Sequence, residues 1–180
     1  MLFIELPGGE IHDEKTNRLT SFEARTVQME HSLGSVSKWE ALWGIPFLSD
    51  APRTPDQTYS YLECMVINGD LPKDQVRLLP DDTLKTIVDY IGSSQTATTF
   101  VENPNKRPSR EIITSELIYY WMVQLNIPFE TDRWHLNRLL TLIRVTNIKN
   151  TPPKTQSKTA TLARYNEINA QRRAQLGSAG

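Results

Sequence analysis

The chain has 180 residues, 38% of them hydrophobic, and a single cysteine, Cys64, which excludes an intramolecular disulfide and a four-cysteine zinc site. That length admits one ordinary domain plus an appendage, and the clustering of apolar residues predicts a core-forming body of about 140–150 residues. The net charge of −1 hides a split: from Lys149 onward six cations (Lys149, Lys154, Lys158, Arg164, Arg172, Arg173) face one acid, Glu167, giving +5, and subtraction from 20 basic and 21 acidic residues leaves 14 and 20, or −6, before them.

Leu2–Leu6 (LFIEL) predicts a strand, stopped by the turn chemistry of Pro7-Gly8-Gly9. Between Ala24 and Leu33, Val27, Met29, His31 and Leu33 fall at every second position, which predicts a second strand with one side on the core. The two are expected to pair around the polar stretch Glu10–Phe22 and to pack on helices, since two strands alone are marginal in water. From Ser35 the period becomes helical. Ser35 or Ser37 is the expected cap of a helix that carries Val36, Trp39, Leu42 and Trp43 and ends at Gly44.

Thr54-Pro55-Asp56-Gln57 has the order of a capping box, with threonine at the cap, proline first in the helix and glutamine reaching back. Tyr59, Leu62, Met65 and Val66 form the apolar face of that helix, and Asn68-Gly69 is its expected stop. Asp81-Asp82 marks a third start, favoured by the positive end of the helix dipole, with Leu84, Ile87, Val88 and Ile91 at helical spacing and Gly92 at the close. Ser93–Arg110 lacks periodicity, and its NPNKRP cluster (Asn103–Pro108) predicts an exposed, mobile loop.

The clearest helical region runs from Ser109 to Val145. Ile112, Ile113, Leu117, Ile118, Trp121 and Leu125 recur at helical steps, with Tyr119, Tyr120 and Met122 widening the apolar arc, so this helix is expected to be buried centrally. Pro128 breaks it; Thr131-Asp132 starts another carrying Trp134, Leu139, Leu142, Ile143 and Val145, and the short connection predicts an antiparallel helical hairpin. WGIPF (Trp43–Phe47) and LNIPF (Leu125–Phe129) share one solution to a helix stop, with Ile and Phe pinning the loop to the core. Beyond Asn150, Thr151-Pro152-Pro153-Lys154 reads as a linker, and Ser157–Leu176 as a marginal amphipathic helix with Leu162, Tyr165, Ile168 and Leu176 on one face.

These elements predict a mostly α, α+β chain. A single globular domain (1–148) joins a small antiparallel β element (1–34) to a helical bundle (35–148), followed by a linker and a basic, partly helical or disordered tail (149–180). Met1–Glu10 lacks the basic start and apolar length of a signal peptide, and no run approaches the roughly 18 apolar residues of a membrane span, so a soluble, cytoplasmic protein without membrane contact is expected.

The sequence contains no glycine-rich phosphate loop, no G-x-S-x-G turn and no H-E-x-x-H spacing, so neither catalytic residues nor a metal or other cofactor are expected. His31 lies on the apolar phase of its strand as a core histidine, His135 reads as a surface or boundary residue, and Cys64 as a buried, inert thiol. The four tryptophans sit on apolar helix faces and read as core rather than as a stacking platform, because an acidic body repels phosphate. The basic tail is the better binding candidate: Leu162, Tyr165 and Ile168 would anchor it on an acidic protein surface, with Lys158, Arg164, Arg172 and Arg173 supplying the charge. Nucleic acid is the weaker reading of the same cations, since they form no arginine-rich block.

The segments EHSLGSVSKWEALWGIPFL (Glu30–Leu48) and EIITSELIYYWMVQLNIPFETDRWHLNRLLTLIRVTNIK (Glu111–Lys149) resemble a small family of bacteriophage proteins. They are similar to tail assembly chaperones of long-tailed phages, encoded near the tape-measure and major tail proteins. The resemblance covers most of the chain, including the basic tail. It implies a non-enzymatic protein that holds an aggregation-prone tail component, of the tape-measure or tail tube type, in the host cytoplasm until assembly. Self-association is compatible with it. A structural part of the neck, tail or baseplate, retained in the virion, is the alternative, and a nucleic-acid-binding regulator a further one. No motif of the family defines binding residues, so the tail residues above stand as the candidate site on their own chemistry.

Overall fold

The computed structural model describes residues 1–13, 17–76, 78–100, 111–151, 162, 165–169, 171 and 172. It divides into two units, Met1–Asn147 and Ile148–Gly180. The first is mostly helical with a small β element, an α+β arrangement in which the strands come first.

Strands β1 (Leu2–Leu6) and β4 (Arg25–Met29) pair antiparallel, Leu2 opposite Met29, with Ile4, Leu6, Val27 and Met29 turned into the core. The polar stretch between them is not a loop, as expected, but a second antiparallel pair, β2 (Gly9–Asp13) with β3 (Arg18–Phe22). Paired residue numbers sum to 31 in both pairs (2 and 29, 9 and 22), so the four strands are one ribbon in constant register, interrupted at Pro7-Gly8 and Glu23-Ala24. Proline has no N–H to give the ladder, and a Cβ at Gly8 would come within 3.0 Å of the Ala24 backbone nitrogen. The side chain of Gln75, from the short helix α3 (Lys73–Val76), closes the gap. Its Nε2 donates to the Pro7 and Glu23 carbonyls at 3.1 and 3.2 Å, while its Oε1 accepts from Arg25.

Helix α1 (Leu33–Trp43) is capped by Ser32, one turn before the expected residue; Ser35 is the reciprocal member of that capping box and Ser37 lies inside the helix. Leu33 is thus helical, and the strand alternation ends at Met29. Leu33, Val36 and Trp39 are buried, whereas Leu42 and Trp43 are exposed. Helix α2 (Pro55–Met65) starts at the Thr54 capping box but stops before Asn68-Gly69, because the chain from Met65 turns to pair with β4: Glu30 N–H donates to the Met65 carbonyl and Ile67 N–H to that of Gln28. Helix α4 (Asp81–Gly92) buries only Ile87 fully.

Helix α5 (Ser115–Gln124) begins after Ile112 and Ile113 and packs on α1. It is not buried all round: Ser115, Ile118 and Met122 are, while Tyr120 and Val123 face solvent. A 3-10 turn, Phe129–Arg133, separates it from α6 (Leu136–Asn150). Both Ile-Pro-Phe segments follow a left-handed residue, Gly44 at φ 64° and Asn126 at φ 53°. Asn126 and Ile127 donate to the Val123 and Met122 carbonyls, a Schellman stop that puts Ile127 against Met122; Gly44 makes the single bond to Glu40. Accordingly Ile127 is buried and Phe129 exposed in one, and Phe47 buried with Ile45 exposed in the other.

Phe47 goes inward because of Glu40. This buried carboxylate accepts the Phe47 N–H on Oε1 and the Ser115 N–H, at the first residue of α5, on Oε2, both at 2.7 Å. Glu40→Gln turns one of the two acceptors into a donor facing an N–H, and should lower stability by about 2 kcal/mol, read as a fall in the urea midpoint. Ser115→Ala removes a buried hydroxyl that finds no hydrogen-bond partner among the described residues, and should leave that midpoint unchanged or higher.

Candidate functional site

Three arrangements invite a functional reading: a buried histidine pair, an open apolar groove, and the exposed residues of the second unit. The fold brings His31 and His135 together, with ring centroids 5.0 Å apart. His135 is not a boundary residue: it is 4% exposed, buried where α6 docks on the junction of β4 and α1. The Leu136 N–H donates to the His31 carbonyl at 2.7 Å, and Ser32 bridges to His135. Its burial has a use. His135 Nε2 donates to the Tyr90 carbonyl at 3.0 Å, Asn137 Nδ2 donates to those of Ile91 and Ser93, and the carbonyls that end α4 are satisfied by one side chain just before α6 and one in its first turn. The Asn137 N–H donates to His135 Nδ1, so both ring nitrogens are engaged in one neutral tautomer.

His31 Nδ1 is hydrogen-bonded to the Tyr61 hydroxyl, beside Ser35 and against the ring of Phe47. Buried Glu30 accepts the Tyr90 hydroxyl at 2.6 Å and lies 2.8 Å from the Met1 amino nitrogen. Burial, then the neighbouring His135, lowers the His31 pKa to about 4, against an opposing pull from Glu30. Burial likewise lowers that of His135 and raises those of Tyr61 and Tyr90. The pair therefore works near neutrality as packing and as a helix-end cap. Among the described residues no three histidine, cysteine or acidic side chains converge as a metal-ligand set. Cys64 is half-buried, and burial pushes its thiol up.

The groove lies between α2 and α4, with a volume of about 620 Å³. Its floor is Leu62 and Ile87, and its walls are Tyr59, Leu84, Val88 and Ile91. Arg53 also lines it, on the residue before the α2 cap, with its guanidinium 4.2 Å from the Phe47 ring centroid and 5.5 Å from that of Trp39. The Arg53 Nη2 donates to the Phe47 carbonyl, which fixes the head group in place. Of the four tryptophans only Trp39 is fully buried; Trp43 is exposed, and Trp121 and Trp134 are half-buried, with Arg138 stacked on Trp134.

In the second unit, Leu162, residues 165–169 and residues 171 and 172 are helical. Leu162 is 60% exposed and Tyr165 61%; Ile168 and Arg172 are exposed too. Lys158, Arg164, Arg173, Leu176 and the prolines of the linker lie outside the described residues, as does the NPNKRP cluster. Among the described residues no helix is long and apolar enough to cross a membrane. No family model, curated protein or solved structure matches the chain.

Between pH 6.5 and 4 an unfolded chain takes up a proton that folded His31 refuses, so its contribution is complete above that window and falls as pH drops through it. Stability should decline by roughly 3 kcal/mol from this group between pH 7 and 4. The urea midpoint should follow that course, and His31→Gln should flatten it; an equal slope in both proteins would mean that His31 is not the group responsible.

Proposed function

We propose that the protein is a non-enzymatic assembly chaperone of a long-tailed bacteriophage, binding a tail component during virion morphogenesis. The observation that carries the binding part of this reading is the open, largely apolar groove between α2, which the Thr54 capping box starts, and α4, whose last carbonyls His135 and Asn137 meet. Small-molecule and peptide sites have this make-up: apolar walls and few, fixed polar groups. The exposed side chains of Leu162, Tyr165 and Ile168, in a segment of net charge +5, add a second set of anchors. Nothing in the buried histidine cluster asks for turnover, because its hydrogen bonds are spent on helix ends and core contacts. The phage context rests on the resemblance of Glu30–Leu48 and Glu111–Lys149.

Co-expression with the neighbouring tail proteins, followed by pull-down on the full chain and on a form ending at 149, tests the reading. The expected result is a stable complex with a tape-measure or tail tube protein, weakened by the deletion, and loss of the chain from purified particles. Retention in those particles would turn it into a structural component. Association with no tail protein would remove the chaperone role altogether.

A further inference from the structure

We propose that the α2–α4 groove is the seat of an amphipathic helical segment of a partner protein that carries one carboxylate beside its apolar anchors. This deepens, and rests on, the reading of the chain as a binding protein.

The shape favours a segment of protein. Leu84, Ile87, Val88 and Ile91 run over two turns of α4, about 10 Å, opposite Pro55, Thr58, Tyr59 and Leu62 on α2. Val88 is 66% exposed, so the groove is an open trough and encloses no small ligand. Two apolar helices with a trough between them match the stripe of a third helix, whose anchors repeat at three- and four-residue steps.

The charge decides which segment. Among the described residues no carboxylate lies within ion-pairing distance of Arg53, whereas Arg25 and Lys73 each have an acid at 2.9 and 2.8 Å. Arg53 is solvent-exposed, yet its guanidinium is stacked on two aromatic rings and tied to a backbone carbonyl, so little side-chain freedom is left to lose when an anion arrives. A planar, pre-positioned guanidinium recognises a carboxylate with paired hydrogen bonds. The rest of the body carries excess acid, −6 before residue 149, which repels a partner with acids elsewhere along its length. One acid next to an apolar stripe is the complement.

A random-peptide display library selected on the full chain, with the Val88→Glu variant as the counter-selection, tests this. Val88 is exposed, so that variant should fold with an unchanged circular dichroism spectrum. The expected peptides share apolar residues at three- and four-residue steps plus one Asp or Glu. Replacing that acid by its amide should weaken binding about tenfold, and Arg53→Gln should remove the difference between acid and amide forms. Peptides that bind wild type and Val88→Glu alike, a basic consensus, or equal binding of acid and amide would each overturn the proposal. A dimer of the wild-type chain that Val88→Glu dissolves would make a second copy the occupant, which also overturns it. A tail-protein complex that survives Val88→Glu would reject the groove and leave the chaperone role standing; selected peptides without any tail-protein complex would do the reverse.

Discussion

A buried carboxylate is costly to desolvate unless donors meet both its oxygens, and Glu40 has both. One donor is the Phe47 N–H, seven residues along the chain; the other is the Ser115 N–H, seventy-five residues away. The second lies at the positive end of the α5 dipole, among the unsatisfied N–H groups of its first turn, while Thr114 caps Leu117 from the other side. A single side chain thus sets where the segment after α1 turns inward and where α5 starts. Phe47, drawn in by that bond, packs at 4.1 Å on the ring of Tyr61 and provides the aromatic face on which Arg53 lies. The geometry of the groove therefore descends from a charge in the core.

The same economy recurs wherever an element ends against another. Gln75 meets the two carbonyls that the interrupted ribbon leaves unpaired, and His135 with Asn137 meets those that end α4. Each spans a long stretch of sequence: 68 residues from Pro7 to Gln75, 45 from Tyr90 to His135. Helix termini buried without such partners would carry unsatisfied backbone groups. Polar residues in this core are structural connectors first, which is why a pair of histidines in van der Waals range reads as architecture.

Local signals were legible in proportion to how local their causes are. The Thr54 capping box, the left-handed stop at Gly44 and the alternation of Val27 and Met29 depend on a few neighbouring residues, and each stands where it was expected. Strands β2 and β3 left no such signal. Among the described side chains of the two strands all are exposed or half-buried, so no face selects apolar residues, and their pairing follows from the register of β1 and β4. The burial of His135 depends on a carbonyl in another helix, and no spacing around residue 135 encodes it. For α4 the apolar stripe could be read, but not that α2 would leave part of it uncovered.

Helix α5 shows why composition overstates burial. It is apolar almost all round, which suggests a central helix, yet it packs on α1 with only Ser115, Ile118 and Met122 buried. Tyr120 and Val123 remain exposed, and Phe129 follows them on the surface. Leu42 and Trp43 on α1 are exposed as well. Exposed apolar side chains are ordinary on a folded domain when scattered singly, and meaningful when they line a concave surface. The groove between α2 and α4 differs because its apolar walls converge on one pre-positioned cation, so that shape and charge select the same kind of ligand.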